Sequence, residues 1–280
     1  MEEFPAVRCP PYSTKPLCLG CYKFLDKKAT ILCPACHWPM CSKACIKAED
    51  HLLECKLFQA ADFKMKPHDF NFEDFEPLYD IITPLRMWAL KSQKPQVWKE
   101  LSSLMDHLEQ WKTDPRWVEE HDFICEFITE NLNIKGLDQD MILRLFGIGY
   151  INDFSTTVGD ARVRVSYPKV AMISHDCTPN VVRFISGIGM GNKIQCYASR
   201  PIKKGDKLSI TYVDLLQPTM TRREVLKKVI NGTFPQNLFR FKTSSVPMMS
   251  RKTDVSQETN DDLTSKLIKY GKESTEKDQF

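Results

Sequence analysis

Four pairs of cysteine or histidine residues near the start of the sequence constrain its fold more than any other feature. The two members of each pair are separated by two or three residues, so one loop or one helical turn can direct both side chains toward the same ion. Zinc prefers four such ligands in a tetrahedron, and four pairs therefore predict two structural zinc sites. The pairs are Cys18 and Cys21, Cys33 and Cys36, Cys41 and Cys45, and His51 and Cys55.

The segment 18–55 that carries these pairs has little room for a hydrophobic core. We expect zinc to supply most of its folding free energy, because structural zinc contributes about 10–16 kcal/mol of apparent binding free energy in finger peptides. Cysteines that are merely buried and reduced are the simpler alternative, and the repeated pair spacing disfavours it. The spacing alone leaves open whether the pairs combine sequentially or interleave. Apolar and ligand residues from Ala48 to Phe58 recur at helical spacing, which predicts His51 and Cys55 on one helix face.

The composition excludes several function classes. Of the 280 residues, 42% are hydrophobic and 27% are charged, which is typical of ordinary soluble proteins. The net charge is +3 and no local basic stripe is present, so we expect no direct nucleic-acid binding. No apolar run of about eighteen residues predicts a membrane span, and the first residues lack the pattern of a signal peptide. We therefore predict an intracellular protein of the reducing cytoplasm or nucleus, where its eleven cysteines are expected to be metal ligands or buried thiols rather than disulfides.

The rest of the chain divides into a helical and a β-rich part. Residues 56–146 have the periodicity of amphipathic helices, and their four tryptophans are predicted to anchor a core: Trp88, Trp98, Trp111 and Trp117. After Gly147 short β-like runs follow, namely "ARVRVSY", "NVVRFIS", "KIQCYASR" and "KLSITYV". The glycines of "GIGMG" lie between two such runs and open no helix, so they predict a loop rather than a phosphate-binding site.

Two sets of motifs resemble known families. The order C-x2-C, C-x2-C, C-x3-C, H-x3-C resembles the MYND zinc finger. The segments "INDF", "YPKVAMISHDCTPNVV" and "RPIKKGDKLSITYVDLLQPTMTRREVL" resemble successive parts of a SET domain. Together, over roughly residues 12–228, the chain resembles the SET-and-MYND family of protein-lysine methyltransferases, in its arthropod branch.

The resemblance implies an interleaved finger and a cofactor site. One zinc would be held by Cys18, Cys21, Cys41 and Cys45, and the other by Cys33, Cys36, His51 and Cys55. Tyr212, at the end of the last core strand, would be catalytic, because an aromatic hydroxyl orients a neutral lysine amine without placing an anion beside it. Asn152, Ser174 and His175 would bind S-adenosylmethionine. The finger would bind a protein or peptide ligand, and the substrate would be a protein lysine.

The predicted fold class is α+β, a two-zinc MYND finger and a helical block followed by an incomplete, β-rich SET-like domain and a disordered tail. Its predicted boundaries are an N-terminal segment at 1–17, the finger at 18–55, a helical insert at 56–146, the partial SET-like domain at 147–228 and the tail at 229–280.

The chain departs from the family pattern at both ends of the SET-like domain. Its first seventeen residues contain no glycine, so we expect the first SET strands and one wall of the cofactor pocket to be missing. Ser174 stands where the family usually has asparagine. The family cysteines that would join Cys177 at a third zinc are absent after Cys196, so Cys177 is predicted to be a lone buried thiol.

These departures favour a second hypothesis, a catalytically impaired, zinc-dependent protein–protein interaction protein. A cysteine hydrolase that uses Cys177 and His175 is a third and weakest hypothesis. We expect side chains two residues apart to diverge in a strand, and no orienting third group is evident in the sequence.

Overall fold

The computed structural model describes residues 1–230 except 13, 67–69, 71, 73 and 188–190. The predicted tail, 229–280, lies outside the described residues apart from its first two, which end a helix. Within the described residues, no helix combines the length and the apolar character that a bilayer crossing requires.

Helices and strands are largely segregated along the described chain, which is typical of an α+β fold: four short strands precede a run of helices, and the remaining strands follow it. The strands are β1 Glu2–Glu3, β2 Val7–Cys9, β3 Ile31–Leu32, β4 Pro39–Met40, β5 Phe154–Val158, β6 Ala161–Ser166, β7 Ser174–His175, β8 Val181–Ile185, β9 Ile194–Ala198 and β10 Ser209–Ile210. The α-helices are α1 Lys43–Ile46, α2 Glu49–Ala60, α3 Ile82–Gln93, α4 Pro95–Leu101, α5 Leu108–Trp111, α6 Pro115–Glu126, α7 Gln139–Asn152, α8 Pro168–Ala171 and α9 Thr219–Ile230. A 3₁₀ helix, Pro77–Ile81, precedes α3, and a π-helical turn, Phe127–Leu132, follows α6.

The cysteine-rich segment folds as a short hairpin followed by two helices. Strands β3 and β4 pair antiparallel, with Ile31 opposite Met40. Helix α1 begins at a serine cap, because the Ser42 hydroxyl accepts a hydrogen bond from the Cys45 amide at 3.3 Å. Helix α2 carries Glu49 and Asp50 in its first turn, where negative charge stabilises the N-terminus.

The predicted helical block is present and is organised around α3. Every residue from Ile82 to Leu90 is buried, so α3 is surrounded by other elements. Trp111 and Trp117 are fully buried with their rings 4.0 Å apart, and Trp88 packs edge-on against the half-buried Trp98. The tryptophans therefore act as packing residues, as predicted.

The β-rich part consists of two antiparallel three-stranded sheets, β2–β6–β5 and β1–β9–β8, and a parallel two-stranded ladder, β7–β10. Strands β6, β8 and β9 agree with the predicted runs, whereas only two residues of "KLSITYV" are in a strand. Strand β5, "FSTTV", has no counterpart in the prediction, because its polar residues weaken the hydrophobic signal.

The N-terminal residues contribute to both sheets. Val7 of β2 lies opposite Ser166 of β6, and Glu2 of β1 lies opposite Gln195 of β9. The expectation that strands before the finger are missing is therefore wrong for β1 and β2. Strands of two and three residues are too short to be recognised by periodicity, and their pairing partners lie more than 150 residues away.

Candidate functional site

The first cysteine cluster joins the loop before the hairpin to helix α1. Its members are Cys18, Cys21, Cys41 and Cys45. The Cys41 sulfur lies 3.5 Å from the sulfurs of both Cys21 and Cys45. The loop approaches α1 closely at Gly20, where a Cβ atom would lie 2.7 Å from the Cys45 carbonyl oxygen. Glycine is therefore required at position 20 if the loop is to place both of its cysteines at the cluster.

The second cluster joins the hairpin to helix α2 and is fully buried. Its members are Cys33, Cys36, His51 and Cys55. The Cys33 and Cys55 sulfurs are 3.8 Å apart, as are the Cys36 sulfur and the His51 Nε2. His51 and Cys55 project from one face of α2 because they are four residues apart.

Both clusters fit a tetrahedral zinc ion. Zinc–sulfur bonds of about 2.3 Å give a tetrahedron whose sulfur–sulfur edges are about 3.8 Å. The observed separations of 3.5–3.8 Å match that edge, and all ligand atoms within each cluster lie within 4.8 Å of one another. The pairs interleave, first with third and second with fourth, which is the arrangement that the resemblance implies and that the spacing left open.

The second cluster has a carboxylate behind its histidine. Glu54, one helical turn after His51, accepts a hydrogen bond from His51 Nδ1 at 3.1 Å. The other ring nitrogen, Nε2, faces the cluster and would bind the metal in its deprotonated form. Sequence analysis did not identify Glu54, although its position three residues after a ligand histidine on a helix was a usable signal.

The β7–β10 ladder brings three of the predicted site residues to one place. Ser174 lies opposite Ser209 and His175 opposite Ile210, so Tyr212 follows two residues beyond the ladder. The Tyr212 amide donates to His175 Nδ1 at 2.9 Å, and the Tyr212 hydroxyl donates to the Ile173 carbonyl at 2.6 Å. Partial burial raises the pKa of Tyr212 and lowers that of His175, so both groups are neutral near pH 7.

The side chain of Asn180 anchors the β10 strand of this ladder. Its side-chain oxygen accepts from the Ser209 amide at 2.8 Å, and its side-chain nitrogen donates to the Lys207 carbonyl at 2.9 Å. The buried amide therefore holds β10 in register for Tyr212. The sequence carried no sign of this role, because a partner 27 residues away along the chain leaves no local pattern.

Asn152 lies outside the ladder, at the end of α7. Both hydrogens of its amide are used within the scaffold, donating to the carbonyls of Met105 and Ile148 at 2.8 Å each. The next residue, Asp153, is buried against Ser166 and 3.6 Å from Arg164. Desolvation raises the Asp153 pKa to about 6, and Arg164 opposes that rise.

Cys177 differs from its prediction in two ways. It is exposed rather than buried, and its sulfur lies 3.3 Å from His175 Nε2 rather than diverging from it. The strand ends at His175, and the Asp176 carboxylate accepts from the Thr178 amide at 2.8 Å, so the chain turns and the two side chains converge.

This contact does not make a nucleophile–base pair. His175 Nδ1 accepts a hydrogen bond from the Tyr212 backbone N–H, so in the neutral ring Nε2 carries the hydrogen and donates to the sulfur. An imidazole in this state cannot remove the thiol proton, and the hydrolase hypothesis is therefore disfavoured for a structural reason.

Comparisons with known proteins agree with these features. A family model described as "SET domain" matches residues 27–213. The chain is 26% identical over 270 residues to N-lysine methyltransferase SMYD2-B of Danio rerio, an alignment that covers 93% of this chain and 58% of that protein. It is 24% identical over 215 residues to SET domain-containing protein SmydA-8, isoform A, of Drosophila melanogaster, covering 75% of this chain and 44% of the relative. The chain thus spans about half the length of these curated relatives.

Proposed function

Because the chain belongs to the SET domain family, within its SET-and-MYND group, we propose that it is an S-adenosylmethionine-dependent protein-lysine N-methyltransferase with two structural zinc ions. The observation that carries this proposal is the β7–β10 ladder, which places Ser174 and His175 beside Tyr212.

The Tyr212 hydroxyl suits the orientation of a lysine amine. It donates its own hydrogen to the Ile173 carbonyl, so its oxygen lone pairs are available to accept from an amine N–H. Its raised pKa keeps it uncharged, and an uncharged acceptor does not stabilise the protonated, unreactive form of lysine. Holding a neutral amine in line with the methyl donor is the main requirement of this reaction.

Three polar side chains suit the charged end of the cofactor, two on the ladder and one, Asn152, at the end of α7. When bound, S-adenosylmethionine supplies an electrophilic methyl group on sulfur. The Asn152 side-chain oxygen would accept from its ammonium group, since both amide hydrogens of Asn152 already donate to backbone carbonyls. The Ser174 hydroxyl would supply one further hydrogen bond, fewer than an asparagine at position 174 could make, and His175 Nε2–H would supply another in place of its contact with the Cys177 sulfur.

Cofactor titration by calorimetry tests the proposal on zinc-replete protein. We expect saturable heat with a stoichiometry near one, and no heat up to millimolar cofactor would overturn the enzymatic proposal for this chain. With a protein substrate in hand, Tyr212→Phe should lose turnover and keep its melting temperature. Tyr197→Phe, an exposed tyrosine of β9, is the matched control and should keep both.

A second candidate function, a zinc-dependent interaction protein without turnover, is favoured by the exposure around the ladder. Tyr212 is 39% exposed, and the neighbouring apolar side chains Met172 and Leu216 are 75% and 93% exposed. The second metal cluster, by contrast, is fully buried. Absence of cofactor binding together with loss of a defined protein partner in Cys33→Ser would support this candidate. Retention of that partner in Cys33→Ser would exclude it.

A further inference from the structure

A buried arginine connects the finger to the rest of the molecule. Arg86 of α3 is 0% exposed, yet all five of its N–H groups have acceptors. These are both carboxylate oxygens of Glu54 at 2.7 and 2.9 Å, the Tyr22 hydroxyl at 2.6 Å, and the carbonyls of Arg8 and Leu19 at 2.7 and 3.0 Å.

On one side this network ends at the second metal cluster. Glu54 Oε1, one of the two oxygens that accept from Arg86, also accepts from His51 Nδ1. Both His51 and Glu54 are fully buried. Glu54 therefore fixes the ring of one metal ligand while its charge is balanced by Arg86.

On the other side the network ends in the β2–β6–β5 sheet. Arg86 donates to the Arg8 carbonyl of β2, and the Arg8 side chain makes two hydrogen bonds to Asp50 of α2, at 2.7 and 3.0 Å. Cys9 of β2 lies opposite Arg164 of β6, and Arg164 is the ion-pair partner of Asp153, beside Asn152.

The energetics of such a pair depend on its members staying in place. Burying an arginine and a glutamate costs several kcal/mol of desolvation per ion, which their attraction offsets only when the geometry is held. If Glu54 loses its position, Arg86 loses its paired charge, and the hydrogen bond from Arg86 to the Arg8 carbonyl of β2, which that carbonyl accepts beside one from the Tyr22 hydroxyl, is no longer held in place. Loss of order at His51 would therefore reach β2 through Glu54 and Arg86.

We propose that Glu54 and Arg86 form a link through which zinc at the second site orders the β2–β6–β5 sheet. Glu54 is a positioning residue for the ligand His51, and Arg86 carries that order to the Arg8 carbonyl. The inference rests on zinc occupancy of the second site and not on methyl transfer, so a failed methylation assay leaves it standing.

Zinc release tests the positioning role. Purified holoprotein is mixed with a colorimetric chelator, and release of its two zinc equivalents is followed with time. We expect Glu54→Gln to release one equivalent at least 10-fold faster than wild type, the lower end of the range for loss of a carboxylate partner of a ligand histidine. Glu49→Gln, on the same helix but in the exposed pair with Lys94, should match wild type. Wild-type rates for both equivalents in Glu54→Gln would overturn the positioning role.

Hydrogen exchange on the wild-type chain tests the link and needs no variant to fold. As one zinc equivalent is removed, we expect protection to fall in Val7–Cys9 and Ala161–Ser166 and to persist in Val181–Ile185, a fully described strand whose residues make no hydrogen bond to Glu54, Arg86 or Arg8. Unchanged exchange in Val7–Cys9, or equal loss in all three strands, would overturn the link. Wild-type protein that contains no zinc would instead contradict the proposed metal binding.

Discussion

The finger region and the β7–β10 ladder are held together by different interactions. Around the second metal cluster, Arg86, Glu54 and His51 are completely buried, and their charges and ring nitrogens are matched by partners. The ladder consists of two strands of two residues, anchored by Asn180, and Tyr212 beside it is substantially exposed. Buried polar groups must be satisfied for the chain to fold, whereas groups that await a ligand must stay reachable. We therefore expect stability to depend on the finger and chemistry to depend on the ladder.

Zinc removal should have the largest effect on stability. Structural zinc contributes about 10–16 kcal/mol in finger peptides, which is comparable with the whole stability of a domain. Cys33→Ser, or a strong chelator, is expected to abolish cooperative unfolding monitored by near-ultraviolet circular dichroism and to reduce zinc content measured by mass spectrometry. Cys177→Ser changes an exposed cysteine outside both clusters and should leave both measurements unchanged. A cooperative, wild-type transition in Cys33→Ser would contradict the contrast between the two regions.

Removing the buried arginine should have the next largest effect. Arg86→Met leaves Glu54 as an unpaired buried charge, and breaking a buried pair in this way costs about 3–5 kcal/mol. The free energy of unfolding from urea titration measures it. The control is Lys94→Met, which breaks an exposed pair worth at most about 1 kcal/mol. Equal losses of unfolding free energy in the two variants would show that burial of the Arg86–Glu54 pair does not increase its contribution to stability.

Asp153 should make the free energy of unfolding depend on pH, with an effect of intermediate size. The pKa of Asp153 in the folded protein is about 6, above the ordinary 3.8, because the fold favours the protonated carboxyl group. The contribution of this group to the free energy of unfolding is therefore fully present below pH 4 and is lost as the pH rises through 6. Relative to wild type, Asp153→Asn should gain up to about 3 kcal/mol of unfolding free energy between pH 4 and pH 7. Titration of the metal sites is common to both chains and cancels in this difference. A difference that is independent of pH would contradict the raised pKa.

A smaller effect is expected where the β5–β6 turn touches the first cluster. Gly159 has a positive φ of +61°, and a Cβ atom there would contact the carbonyl of Cys21 and lie 2.7 Å from the Tyr22 carbonyl carbon. Gly159→Ala should therefore cost about 2 kcal/mol, from strain and overpacking together. Gly205→Ala has a positive φ but open space around it and should cost only about 1 kcal/mol. Thermal unfolding of the two variants measures both losses, and their difference gives the cost of the Cβ contact at position 159 apart from the backbone strain.

The smallest effect on stability is expected at the ladder itself. Tyr212→Phe removes one hydrogen bond from a partly exposed hydroxyl, which contributes about 1 kcal/mol or less. Urea titration should therefore barely distinguish this variant from wild type. A loss as large as that of Arg86→Met would show that Tyr212 supports the fold and would remove the contrast between the two regions.

Much of the fold was predictable because its signals are local. The eight residues that could bind metal are paired at spacings of two or three residues, and the spacing of His51 and Cys55 matches the observed helix α2. The helices of the central block and the buried tryptophans follow from apolar periodicity. Strands β1, β2 and β5 were not predicted, because two or three residues, or a Ser-Thr-Thr run, give no periodic signal.

The candidate site was predictable only in part. The resemblance named Ser174, His175 and Tyr212, but the sequence did not predict that His175 contacts Tyr212, since the contact depends on a parallel pairing between strands 35 residues apart. The exposure of Cys177 and its approach to His175 were predicted wrongly, because the chain turns directly after β7.

The sequence by itself determined which residues could bind metal and which segment would be helical, because covalent spacing fixes the directions of neighbouring side chains. Only the tertiary structure decided that the four pairs interleave and that the first residues complete both sheets. It alone joined Glu54 to Arg86, 32 residues later, beneath His51. A buried charge needs a partner in space rather than in sequence, and many arrangements of the same chain spacing could have supplied one.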